Sequence, residues 1–185
     1  MGNEVSAILR NYPNCEITIF ECSKRYAEAL TKKFLKELRV TIIEKAVSDK
    51  SGSVDFFETN LPGSGSVLNV GELAEKIYGM KQAENFSVEA ITLDEALKGI
   101  DIDILQIDVQ GAELKVLEGA SGALTRTKAI FTEISVLSDL YDGGVVFSEL
   151  DDKLKNSGFT LALMGTDSHL TGNALYLNLN VLERT

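Results

Sequence analysis

Asp108, Gln110 and Glu113 crowd into six residues of "ILQIDVQGAELKVLEGA" (104–120), where an apolar run gives way to a charged, helix-like stretch. Carboxylates and an amide at such a junction can bind a ligand's hydroxyls or amines, and a carboxylate can take a proton from a reacting group. Asp108 ends the apolar run, where an unpaired charge is expensive to bury. A ligand, a cation or backbone donors should therefore meet it, the plainer alternative being a cap on the helix that begins near Gly111. Glu113 lies in the first turn of that helix, where its charge favours the dipole whatever else it does.

Two more acids close apolar runs: Glu21 after "ITIF" and Glu133 in "IFTEIS". A carboxylate in the position of Glu21 can accept both hydroxyls of a ribose, as in dinucleotide folds, although a solvated strand end has the same appearance. His169 is the sole histidine, in "GTDSHLTGN", and its side chain suits proton transfer at neutral pH. A lone loop histidine is more often simply exposed. No HxH, HExxH or EF-hand spacing is present, so no metal is expected.

Elements of two kinds must position these residues. "EITIF" (16–20), "RVTIIEKAV" (39–47), "SVDFFE", "NFSVEAITL", "IDILQIDV" (102–109) and "KAIFTEI" are short and β-branched, as strands are. Between them, "SKRYAEALTKKFLKEL" (23–38) spaces Tyr26, Leu30, Phe34 and Leu38 as one helical stripe, with Ser23 as its cap. "ELAEKIYGM" is helical in pattern. "TLDEALKG" carries a capping box from Thr92 to Glu95. "GAELKVLEGASGAL" and "SELDDKLKNSG" are also helical in pattern, the latter with Ser148 and Gly158 as caps, and "FTLALMG" and "NALYLNLNVLE" close the chain as strands. Strands alternating with helices imply crossovers and a parallel sheet, which binds ligands beyond the carboxyl ends of its strands. Asp108, Gln110, Glu113 and Glu133 all fall at that edge.

Composition bounds the function. The 185 residues are 44% apolar and 25% charged, which fits one globular domain over 1–185. A net charge of −10, with the cations scattered, argues against nucleic acid and against an anionic membrane surface. No apolar run approaches the ~20 residues of a membrane span. The only cysteines, Cys15 and Cys22, have neither zinc nor CxxC spacing, so a reducing, cytoplasmic setting is expected.

Seven segments in order resemble the FkbM-type family of S-adenosylmethionine-dependent methyltransferases: "FECS" (20–23), "AVSDKSG" (46–52), "GSGSVL" (63–68), "LQIDVQGAELKVLEGA" (105–120), "FTEIS" (131–135), "LYDGGVVFSELDDKLKNSGF" (140–159) and "NALYLN" (173–178). The resemblance implies an α/β, Rossmann-like doubly wound sheet, mostly parallel with an antiparallel C-terminal strand. It implies S-adenosylmethionine as cofactor and a small-molecule acceptor, a sugar, polyketide or other metabolite methylated on a hydroxyl oxygen. Carried over by position, Gly2, Glu21, Ser48, Asp49, Asp108 and Gln110 would contact the cofactor and Glu113 the acceptor. Asp108, Glu133 or His169 would serve catalysis, Asp108 or His169 as the base. Gln110 stands where the family more often has Glu, and Cys22 where it has Pro.

One departure matters more. The family opens with a strand and a "DVGANxG" loop, of which only the last glycine has a counterpart here, Gly2. That strand would lie between the strands at 16–20 and 103–109. Truncation of a parent enzyme is the favoured explanation, with weak cofactor binding as its consequence. A strand from another chain, such as a second copy, and direct pairing of the two flanking strands are the alternatives. The functional rivals are a non-catalytic remnant that binds or interacts, and a nicotinamide-dependent dehydrogenase whose GxGxxG is not visible.

Overall fold

The computed structural model describes residues 2–167 and 171–183. In chain order its elements are α1 (Asn3–Asn11), β1 (Ile17–Phe20), α2 (Lys24–Lys33), β2 (Val40–Ile43), β3 (Ala46–Val47) and β4 (Gly52–Thr59). Then come α3 (Glu72–Tyr78), β5 (Gln82–Ile91), α4 (Leu93–Ala96), β6 (Ile102–Ile107), α5 (Glu113–Glu118) and α6 (Ser121–Leu124). The chain continues through β7 (Thr127–Ser135), a 3-10 turn at Ser138–Leu140, α7 (Phe147–Asn156), β8 (Thr160–Thr166), β9 (Thr171–Leu177) and α8 (Leu179–Leu182). The class is α/β with mixed sheets.

The strands do not form one continuous sheet. Their ladders run β1-β2, β3-β5-β4 and β6-β7-β9-β8. β1 with β2 and β6 with β7 are parallel, whereas β9 is antiparallel to both β7 and β8. Direct pairing of the strands at 16–20 and 103–109, one of the alternatives, is not seen among the described residues. Among the described residues β1 is laddered only to β2, and β6 only to β7. Each keeps an unpaired backbone edge, and Ile104 on β6 is 68% exposed, unlike a residue of a covered central strand.

The main core lies where β7 and β9 meet α5, α6 and α7. Ile130, Thr132 and Ile134 alternate inward along β7, and Leu117, Leu150, Leu154 and Tyr176 pack with this face. Truncating Leu117 or Leu154 to Ala would cost about 2–5 kcal/mol, since each is fully enclosed. A satellite cluster of Ala74, Met80, Leu140 and Tyr141 joins α3 to the 3-10 turn. Gly71 is required there, because a Cβ would stand 2.1 Å from the Asp139 carbonyl oxygen.

Several local expectations are corrected. The stripe on α2 stops at Phe34, and Leu38, beyond the helix, is 98% exposed. Ser23 occupies the cap position without capping: its hydroxyl instead donates to Glu58 Oε1 at 2.5 Å. The strand read at 39–47 is broken into β2 and β3, which belong to different sheets. The long helix read after Gly111 is two short ones separated at Gly119, where close approach to the Ser48 carbonyl leaves a Cβ only 2.2 Å of room. Helix α7 begins before Ser148, with Val146 at its cap and Glu149 Oε2 accepting from the Val146 N–H. Helix α1 had no counterpart in the sequence reading. The Thr92 cap holds, its hydroxyl accepting from the Glu95 N–H at 3.1 Å.

Candidate active site

The junction after β6 is a tight turn built by its own side chains. Gln110 has φ 56°, a left-handed conformation rare for a residue with a Cβ and costing about 1–2 kcal/mol. Surrounding contacts hold it there. Ser66 Oγ donates to the Gln110 carbonyl at 2.8 Å, and Glu113 Oε1 accepts from the N–H groups of Val109 (3.3 Å) and Gly111 (3.1 Å). Glu113 is 3% exposed, so its main visible work is to fold this turn. Gly111, at φ 91°, lets Tyr141 pack within 3.0 Å of where a Cβ would be.

The turn aims the Gln110 amide at two carboxylates. Its Nε2 donates to Asp108 Oδ1 at 2.6 Å and to Glu133 Oε2 at 2.7 Å, one hydrogen for each. Its Oε1 accepts from the Tyr141 hydroxyl at 2.8 Å, which also lies 2.9 Å from the Ser64 carbonyl. This tyrosine contact sets the amide's orientation. A glutamate here would put a third carboxylate between Asp108 and Glu133, and the two hydrogens that bridge them would be lost.

Two cavities meet at this amide. One, of about 150 Å³, is lined by Phe20, Glu21, Cys22, Tyr26, Glu58 and Asp108, among others. The second, of about 210 Å³, has walls from the satellite cluster, with Tyr78, Met80 and Leu140 on one side and Glu133 and Asp167 on the other. Gln110 and Leu61 line both. The carboxyl ends of β1 and β6 thus reach one cavity, and that of β7 reaches the other.

Electrostatics differ along the junction. Burial, the charge on Asp108 and then that on Glu113 push the Glu133 carboxyl up to about 8, helped by a hydrogen bond to Asp108. Burial also raises Glu113, against three backbone donors that lower it. In the first cavity burial raises Glu21, opposed by the Ser23 N–H at 2.8 Å and reinforced by the charge of Glu58. The Cys22 thiol is pushed up to about 12 by burial and by Glu21, which keeps it protonated and a poor nucleophile at neutral pH.

The structure gathers Glu21, Asp108, Gln110, Glu113 and Glu133 around these two cavities. It does not bring Gly2, Ser48 or Asp49 there. Gly2 caps α1 against the Phe34 ring, and Ser48 and Asp49 bond to each other beside Gly119; none of the three lines either cavity. His169 lies outside the described residues. Sequence reasoning missed Tyr141, Ser66 and Glu58. Tyr141 and Ser66 stood inside the "LYDGG" and "GSGS" segments with no spacing rule to single them out, and Glu58 ended the strand-like run "SVDFFE" with nothing to distinguish it. Among the described residues no three metal-ligating side chains converge.

The two cavities lie along strand carboxyl ends on either side of the Gln110 amide, and the one at Glu21 is the more polar. Residues 8–161 match the methyltransferase FkbM domain, and the chain belongs to that family. The 2-O-methyltransferase NoeI of Sinorhizobium fredii (strain NBRC 101917 / NGR234) is 29% identical over 163 residues, 83% of this chain and 67% of that protein. Magnesium protoporphyrin IX methyltransferase from Synechocystis PCC 6803 is 13% identical, with a TM-score of 0.35 over 58% of this chain and 51% of its own. LaPhzM is 12% identical, with a TM-score of 0.46 over 96% of this chain and 47% of its own. The chain therefore spans about half the length of these solved relatives.

The family's cofactor is S-adenosylmethionine, and the smaller cavity suits it in donor type. Glu21 has one oxygen on the Ser23 N–H and the other available to ribose hydroxyls. Phe20 and Tyr26 offer rings to a purine, and Asp108 offers negative charge to a sulfonium.

Proposed function

We propose that this chain carries the ligand-binding body of an S-adenosylmethionine-dependent O-methyltransferase. In this reading the Glu21 cavity takes the methyl donor and the Glu133 cavity takes an alcohol. The observation that carries it is the Gln110 amide, which lines both cavities and hydrogen-bonds a carboxylate belonging to each. When bound, S-adenosylmethionine supplies an electrophilic methyl group. The chain's own residues do the rest. Glu21 grips ribose hydroxyls, and the apolar walls exclude water and hold the acceptor, so that positioning supplies most of the rate. Glu133, in its deprotonated form, takes the hydroxyl proton on a carboxylate oxygen, with Gln110 holding Oε2 in place and Asp108 sharing the proton afterwards. NoeI, by its name a 2-O-methyltransferase, makes a sugar or similar polyol the first acceptor to try.

This reading includes a further parallel strand between β1 and β6, supplied from outside the described residues or by a second copy. Both edges are unpaired, and both strands end at the donor cavity. Cofactor binding by the chain alone should then be weaker than binding by a form that carries the strand, and equal affinity would remove the strand from the account. The functional test is calorimetric titration of the chain with S-adenosylhomocysteine. Saturable binding that Glu21→Ala weakens supports the proposal. Binding unaffected by Glu21→Ala, or none in either form, refutes it.

A further inference from the structure

The Glu21 cavity holds a second carboxylate to which the methyltransferase reading gives no task. Glu58 lies near the end of β4, a strand antiparallel to β5, and its side chain is 16% exposed. Ser23, itself 1% exposed, ties it to Glu21. The Ser23 N–H donates to Glu21 Oε1 at 2.8 Å, and the Ser23 hydroxyl donates to Glu58 Oε1 at 2.5 Å. The other Glu58 oxygen, Oε2, has Arg25 Nη2 at 3.8 Å, too far for a hydrogen bond, on a side chain 69% exposed. Oε2 can therefore accept from a ligand. The charge of Glu58 is felt at Glu21 and Cys22, and that of Asp108 at Glu113, Glu133 and Tyr141. The two carboxylates thus belong to different ends of the cavity.

We propose that Glu58 reads the base of the methyl donor, its Oε2 accepting a hydrogen bond from the exocyclic amine of adenine. The proposal rests on the Glu21 cavity being the donor site, and it assigns that site's specificity. Adenine is the part of the donor left to place. The ribose meets Glu21, the sulfonium faces Asp108, and the base leaves the ribose on the side opposite the sulfur. Ser48 and Asp49, expected at the cofactor from the sequence, line neither cavity. The adenine edge presents an amine with hydrogens to donate, and a carboxylate supplies acceptors for them. With Oε1 already fixed by a buried hydroxyl, Oε2 is held in place before the ligand arrives, so little ordering opposes the new bond.

S-adenosylhomocysteine and its deamino analogue, in which purine replaces adenine, differ only in that amine and form a matched pair of probes. Each is titrated into the whole chain, following backbone amide shifts at Glu21, Cys22 and Glu58. S-adenosylhomocysteine should bind at least about tenfold more tightly than the analogue, as for loss of a hydrogen bond to a charged group. Glu58→Ala should abolish that ratio by weakening S-adenosylhomocysteine while leaving the analogue's affinity unchanged. The first comparison needs no variant to fold. Equal affinities in the unsubstituted chain overturn the proposal. So does a variant that weakens both ligands alike, which would make Glu58 a prop for Ser23 and nothing more. Glu21→Ala separates the two layers. If it weakens S-adenosylhomocysteine while the two ligands bind the unsubstituted chain equally, the role of Glu58 fails and the donor-site reading stands. If neither ligand binds the unsubstituted chain, both fall.

Discussion

The two cavities share an amide and differ in almost everything else. The proposed donor side is the more polar, with Glu21, Glu58 and Lys45 in its lining, and β1, which ends there, keeps one edge unpaired among the described residues. The acceptor side is walled by a satellite hydrophobic cluster and backed by a complete ladder through β7, β9 and β8. In the proposed reading the acceptor side is the better preorganised, because β1 and β6, the strands with an open edge among the described residues, end at the donor side. On that reading, the open edges of β1 and β6 should weaken donor binding while leaving the acid pair and the acceptor wall in place.

The largest effect expected from breaking this comparison is at Glu133. Glu133→Gln should lower turnover by about 10²–10⁴, the range for losing a general base, with S-adenosylhomocysteine affinity unchanged. The pH dependence should change with it. The unsubstituted chain gains activity as pH rises toward about 8, where the Glu133 carboxyl gives up its proton, and the variant should lack this limb. Rates measured from pH 6 to 9 check both.

Gln110→Ala removes the side chain that hydrogen-bonds a carboxylate of each cavity. Two hydrogen bonds to carboxylates are lost, each of the order of 1.5–3 kcal/mol. Turnover should fall about 10–100-fold, with a smaller loss of donor affinity, by the rule that each 1.4 kcal/mol is tenfold. Glu21→Ala should act on one side only, weakening S-adenosylhomocysteine by about 1–3 kcal/mol while acceptor binding is unaffected. The pair of variants, each assayed for both ligands, separates the shared residue from the private one.

Tyr141→Phe should be smaller still. It frees Gln110 Oε1 and the Ser64 carbonyl from one hydroxyl, worth about 0.5–1.5 kcal/mol of stability, and turnover should drop a few-fold as the amide loses its fixed orientation. A stability effect follows from Glu133 itself. Its carboxyl is raised in the folded chain above the ordinary 4.5, so the folded state holds the proton more tightly than the unfolded state does. That contribution is complete below about 4.5 and is lost as pH rises through about 8. Thermal midpoints should therefore decline between pH 5 and 8, less steeply in Glu133→Gln.

What the sequence disclosed follows from local chemistry. The short, β-branched run "KAIFTEI" marked β7, and the Thr92 box marked α4, because each signal is contained in a few neighbouring residues. Glu21, Asp108 and Glu133 were visible as acids that end apolar runs. Tyr141 was not, because its importance comes from Gln110, 31 positions away. Ser23 was misread for a related reason. A serine before a helix satisfies every capping rule, but a half-buried carboxylate 35 residues on, Glu58, outcompetes the backbone for its hydroxyl. The splitting of the helix after Gly111 likewise depends on the Ser48 carbonyl reaching Gly119, a contact that no periodicity encodes.

The central claim is that donor and acceptor occupy opposite sides of Gln110. Backbone amide shifts recorded during titration with S-adenosylhomocysteine test it most directly, and they register weak binding as well as tight. The account predicts shifts at Glu21, Cys22, Glu58 and Val109, with Tyr78, Met80 and Leu140 little changed. Shifts centred on Tyr78, Met80 and Leu140 instead, with Glu21 and Cys22 silent, would contradict it.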